Sequence, residues 1–219
     1  MKRFGWKVLT AALAVPLTVQ ALSAQLPGIP YGPVNTGLGI NVAADYGKSN
    51  VSGSGAAYGL TGGLGIANLG IQASVGSQTP VSGGSSNTTF AGAAGLKLFG
   101  GGLTPVTVGI QVGAGHESFG TGNSITTIEP AAWVKVSPPL FPLKPWGQVY
   151  YLSGTTSGAA TLTKETRATI GANFNLLLGL GVHAAYDFST KSGGTNFWGV
   201  GAHINFRVPS LGVPGVPGI

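Results

Sequence analysis

The sequence predicts an all-β chain: a closed, antiparallel, up-and-down transmembrane β-barrel of about ten strands. Three observations carry this. Bulky apolar residues alternate with small or polar ones through ten segments, the period-two pattern of a strand with two unlike faces. Charged residues are only 7% of the chain, against 43% hydrophobic, with 39 glycines; an ordinary soluble domain carries about a quarter charged. The connections alternate between longer polar stretches and shorter links, as in a meander closed on itself.

Segment 36–46 sets Leu38, Ile40, Val42, Ala44 and Tyr46 opposite Gly37, Gly39, Asn41, Ala43 and Asp45. Segment 57–66 sets Tyr58, Leu60, Leu64 and Ile66 against Ala57, Gly59, Thr61, Gly63 and Gly65, and 69–76 continues with Leu69, Ile71 and Val75. Phe90, Ala94, Leu96 and Leu98 oppose Thr89, Ala91, Gly95 and Lys97; Val106, Val108, Ile110 and Val112 oppose Thr107, Gly109, Gln111 and Gly113. Segment 125–136 puts Glu129, Trp133 and Lys135 on the polar face, while 146–153, "WGQVYYLS", has no clear phase. Segment 165–178 opposes Ala168, Ile170, Ala172, Phe174, Leu176 and Leu178 to Glu165, Arg167, Thr169, Gly171, Asn173 and Asn175. Segments 180–188 and 197–206 close the series, with His183 and Asp187, then His203 and Asn205, on their polar faces. Most of these are close to the 9–11 residues that a tilted strand needs to cross a bilayer. A count of eight strands stays open.

Residues 1–24 read as a signal peptide: Lys2, Arg3 and Lys7 precede the short apolar run "VLTAALAVPLTV" and small residues before Leu22 or Gln25. Its removal lowers the formal charge from +6 to +3, and no basic cluster points to nucleic acid. Residues 25–34 and 208–219 are Pro/Gly-rich flanks of a barrel spanning 35–207. They are expected to lie together at one rim or to plug the lumen's lower mouth. Cysteine is absent, which excludes a disulfide framework and thiol metal sites.

A soluble sandwich alternates too, but its solvent face carries Lys and Glu that block edge pairing. Here the second face is Gly, Ala, Thr and Asn. Closure removes the edges, and lipid accepts the apolar face. The small residues then face a narrow lumen. Tyr46, Tyr58, Phe90, Tyr186, Phe188, Trp198 and Phe206 sit near strand ends, where aromatic girdles form.

The leader, the alternating strands and the closing "WGVGAHINF" resemble the small bacterial outer-membrane β-barrels, a broad porin-like superfamily. The resemblance implies an outer-membrane location, the lipid bilayer as partner, and recognition of the last strand by the barrel-assembly machinery. In that superfamily the final aromatic usually ends the chain; here thirteen residues follow Phe206.

The lumen is expected to hold Asp45, Lys97, Glu129, Lys135, Glu165, Arg167, His183, Asp187 and His203. His183 and Asp187 lie four residues apart on one strand, about 13 Å, too far to share a metal ion; paired polar groups filling a small barrel are the better reading. Glu165 and Arg167 could pair with each other or with Lys135 and Glu129 across the lumen. "GHESFG" offers His116, Glu117 and Ser118, but neighbouring strand residues face opposite ways, so no enzyme and no cofactor are expected. The expected role is structural or narrow-pore passage of ions or small solutes. A binding or adhesion barrel acting through its Ser/Gly/Thr loops or holding a lipophilic ligand, and a soluble secreted β-protein, remain as alternatives.

Overall fold

The computed structural model describes residues 26, 29–30, 32–79, 84–101, 104–119 and 122–206. Residues 1–24, expected to be a signal peptide, and the 208–219 tail lie outside them. Ten strands follow one another: β1 Gly39–Ser49, β2 Ala56–Ile66, β3 Leu69–Gln78, β4 Asn87–Gly101, β5 Thr104–Phe119, β6 Asn123–Val136, β7 Leu143–Ser157, β8 Glu165–Asn175, β9 Leu180–Ser189 and β10 Phe197–Phe206. Each pairs antiparallel with its chain neighbours, and β1 pairs with β10, from Ile40↔Phe206 to Ser49↔Phe197, so the barrel has no free edge. We call the end carrying connections 50–55, 79–86, 120–122, 158–164 and 190–196 the loop rim. The end with 67–68, 102–103, 137–142 and 176–179 is the turn rim.

Alternation sets which residues face out. Leu60, Ile71, Val112, Ile128, Val149, Ile170, Val182 and Val200 are all exposed on the outer face. That face is an apolar belt that water would not tolerate and lipid would. At the loop rim Tyr46 lies edge-on to Tyr58 (5.4 Å between centroids) and tilted against Trp198 (5.6 Å), and Tyr186 stacks on Phe188 (6.5 Å). Phe90 is exposed near the same rim and Phe206 at the other, where Phe99, Phe141 and Phe174 add an aromatic set the sequence reading missed.

Several strands depart from the expected bounds. β5 reaches Phe119 because Gly115 and Glu117 keep the inward phase past Gly113. β8 stops at Asn175 although alternation continues to Leu178: residues Leu177–Gly179 form a 3-10 turn, with Leu178 at φ 58°. In β4 the register shifts between Lys97 and Phe99, so Leu98 and Phe99 both lie exposed on the outer face. This bulge bends the wall just before Gly100, whose φ of 92° demands glycine.

The unphased segment is β7, and its inward residues are Trp146, Gln148 and Tyr150, all buried. Two of the three are aromatic while Val149 and Tyr151 face out, so both faces carry bulky residues and the contrast between them is lost. Room for such rings comes from glycines directly across the ladder. Trp133 covers Gly109, Trp146 covers Gly171, His203 covers Gly181 and His183 covers Gly201. A Cβ at any of the four would overlap the ring. Gly171→Val is therefore expected to destabilise the barrel by about 1–3 kcal/mol through overpacking, measured as a lower urea midpoint in detergent. Gly62→Val, with open space on the outer face, is expected to leave the midpoint unchanged.

Candidate functional site: the lumen

The lumen has a wall of small residues and a wall of large ones. On β2, β3 and β4 the inward positions include Ala57, Gly59, Gly70, Gly76, Ala91, Ala93 and Gly95. The N-terminal segment occupies the space they leave. Leu26 and Ile29 pack on Ala57 and Ala91 near the loop rim, and Val34 packs on Ala93, Ala131 and Tyr150 lower down. Gln111 pins the segment from β5: its Oε1 accepts from the Val34 N–H (2.8 Å) and its Nε2 donates to the Gly32 carbonyl (3.2 Å). The segment thus reaches well beyond the lower mouth, through much of the barrel's height. The other half of that expectation, the position of 208–219, lies outside the described residues.

All nine lumen candidates point inward, but they fall into separate groups. In the loop half Arg167 is the hub. Its Nη1 meets Glu165 Oε1 at 2.6 Å, while Nε (2.7 Å) and Nη2 (2.5 Å) meet Asp187 Oδ1. Asp187 Oδ2 accepts from Tyr150 (2.7 Å) and Thr169 (2.6 Å), and Glu165 accepts from Ser189. Arg167 also donates to the Thr195 carbonyl and lies 5.2 Å from the Phe197 ring centroid. Asp187 has no exposed surface and Arg167 only 3%, so the group is a dry, fully partnered lock. Glu165 and Arg167 do pair with each other, while Lys135 and Glu129 take no part. Glu129 is held by Thr127 (2.9 Å), and its second oxygen has no partner among the described residues. Sequence reasoning left Tyr150 unphased, set Thr169 on the lumen face without counting it among the polar candidates, and named Glu117 only within "GHESFG"; Tyr150 and Thr169 complete the lock, and Glu117 accepts from Asn87 (3.1 Å).

In the turn half His183 Nε2 donates to Asp45 Oδ1 (2.6 Å), since a carboxylate only accepts, and its Nδ1 faces His203 Nδ1 (3.1 Å). His203 Nε2 meets Asn175 Oδ1 (3.2 Å). His183 and Asp187 thus belong to different groups, and no set of three potential ligands converges on a metal position among the described residues. Lys97, Lys135 and Lys144 line the opposite wall of the same space, a cavity of about 960 Å³ bounded by Asn, Thr and Ser side chains and by the N-terminal segment.

The "GHESFG" residues split as strand geometry requires. Glu117 faces the lumen. His116 and Ser118 face out, with Ser118 Oγ 3.2 Å from His116 Nε2 and Thr126 Oγ1 3.0 Å from Nδ1. Among the described residues no carboxylate orients the imidazole.

The closed ten-stranded sheet and the apolar belt around it define a membrane-spanning β-barrel. No protein-family model and no curated protein matches the chain. Among solved structures it is similar to the KdgM porin, at 8% identity over 76% of this chain and 99% of that one (TM-score 0.47). It is also similar to the translocator domain of the autotransporter NalP from Neisseria meningitidis (14%, 80% and 90%, 0.42) and to the N-terminal β-barrel domain of Pseudomonas aeruginosa OprF (16%, 78% and 100%, 0.39). These neighbours are bacterial outer-membrane β-barrels. At such scores the class rests on the chain's own ladder and belt.

Proposed function

We propose that the chain is an exported outer-membrane barrel with a structural or narrow-pore role, admitting ions or small solutes without chemistry of its own. One observation carries this: the turn half of the lumen is a polar cavity of about 960 Å³, while the Arg167 lock and the N-terminal segment narrow the loop half. In this reading the turn rim faces the periplasm, the bilayer covers the belt, and Phe206 at the end of β10 is what the assembly machinery reads. Truncating 208–219 is then expected to leave assembly intact, measured as heat-modifiable migration of the membrane fraction. Planar-bilayer recordings test conduction: small, resolved events are expected. No events at any voltage, with residues 25–35 present or deleted, would end the pore reading and leave the structural one.

A further inference from the structure

We propose that the turn-half cavity binds a small polyanion, a molecule carrying two or more carboxylate or phosphate groups. The inference rests on the pore reading only for access from the turn rim.

All five aspartate and glutamate side chains face the lumen, yet they are unevenly placed. Glu117, Glu129, Glu165 and Asp187 belong to the loop half. Asp45 alone lines the cavity, and His183 already holds it. Against it stand three ammonium groups, on Lys97, Lys135 and Lys144. Among the described residues Lys97 and Lys135 have no carboxylate partner. A cation drawn inside a barrel calls for a counter-charge, and for Lys97 and Lys135 no carboxylate of the described residues is within ion-pair distance.

Three asparagines of the cavity are turned the same way. Asn173 Oδ1 accepts from Trp146 Nε1 (3.0 Å), Asn205 Oδ1 accepts from Asn41 Nδ2 (2.8 Å), and Asn175 Oδ1 faces His203 Nε2. In these three the wall engages the amide oxygen, leaving the NH₂ as the end that can serve a guest; Asn41, which gives its NH₂ to Asn205, is turned the other way. A surface of ammonium and amide donors suits anionic oxygens and repels cations.

The lysines are spread out. Lys97 pairs across the ladder with Gly109, and Gly109 with Trp133; Lys135 lies two residues beyond Trp133 and pairs with Trp146; Lys144 lies two residues beyond that. Strand spacings put neighbouring members of the set roughly 8–12 Å apart at the backbone. A molecule with separated anionic groups matches such a spread set. The cavity volume lies within the range of small-molecule sites. Beyond it the Arg167 lock and the N-terminal segment narrow the lumen, so the cavity retains such a guest rather than transmitting it.

Isothermal titration calorimetry on the full chain folded in detergent tests this, with citrate and pyrophosphate as probes and sucrose and spermidine as controls. We expect one or both anions to bind, more weakly as salt rises. The Lys97→Gln/Lys135→Gln double variant should bind at least tenfold more weakly, and Lys97→Arg/Lys135→Arg should recover binding. Lys48→Gln, at the loop rim outside the cavity, should bind as the parent does. Heat-modifiable migration reports folding, and the single Lys97→Gln variant serves if the double does not fold. Citrate alone assigns carboxylates and pyrophosphate alone assigns phosphates. Binding of neither, equal binding by the glutamine variants, or preference for spermidine overturns the inference. A barrel that conducts but binds no anion refutes this site alone; one that binds but never conducts refutes the pore alone.

Discussion

Replacing Arg167 by Met is expected to destabilise the barrel by about 3–5 kcal/mol, the cost of breaking a buried ion pair from one side. The guanidinium answers two carboxylates at once, and neither can turn to water: Asp187 has no exposed surface and Glu165 has 8%. Without it both acids sit uncompensated beside the already buried Glu129. Tyr150 and Thr169 would still donate to Asp187, but a neutral donor offsets only part of a desolvated charge. Thr169→Val, which removes one donor and leaves the ion pair, is expected to cost about 1–3 kcal/mol. Replacing Arg167, Asp187 and Glu165 together with apolar residues of similar volume should recover most of the loss, because no charge is then left unpaired. Urea midpoints in detergent, followed by tryptophan fluorescence, order the variants. A cost under about 1 kcal/mol for Arg167→Met would mean that water reaches the lock, as for a surface pair.

The strands were legible because lipid on one side and lumen on the other impose opposite demands on successive residues. The closing strand shows this best: Trp198, Val200 and Phe206 outside, His203 and Asn205 inside, pairing back to β1. β7 was illegible because the lumen itself takes large rings at Trp146 and Tyr150, which removes the contrast between faces. What those rings need is glycine on the neighbouring strand, and that complementarity exists only once register is known. Gly171 is not near Trp146 in the chain; the β7–β8 ladder brings them together. The lock was half legible. Glu165 and Arg167 share a strand face, but Asp187 joins them from β9 and Tyr150 from β7, distances that period-two reasoning does not measure. The abundance of glycine was visible, but not its purpose on β2–β4, where it makes space for a segment that precedes the barrel.

That segment leads to the second large effect. Deleting residues 25–35, or ejecting them with Gly70→Val, is expected to raise single-channel conductance severalfold while the barrel stays folded. Burial of Leu26, Ile29 and Val34 contributes about 5–9 kcal/mol, and the two Gln111 hydrogen bonds about 1 kcal/mol each. Fixing the six described non-proline residues of 26–36 costs about 6–12 kcal/mol in backbone freedom. The opposing terms nearly cancel, so the segment is held by a small margin and one added side chain can reverse it. Gly70 is the place to do so, because a Cβ there meets the Asn35 carbonyl and the Val34 side chain, while the ladder to Gly65 and Gly95 needs no change. Gly59→Val, against Leu26 and Ile29, should free only the far end of the segment and raise conductance less. Conductance unchanged by Gly70→Val and by the deletion, with heat-modifiable migration intact, would place the tightest point of the pore at the Arg167 lock instead. In that case Arg167→Met, if it folds, should raise conductance where the deletion does not, which makes the two substitutions a direct comparison of the two barriers.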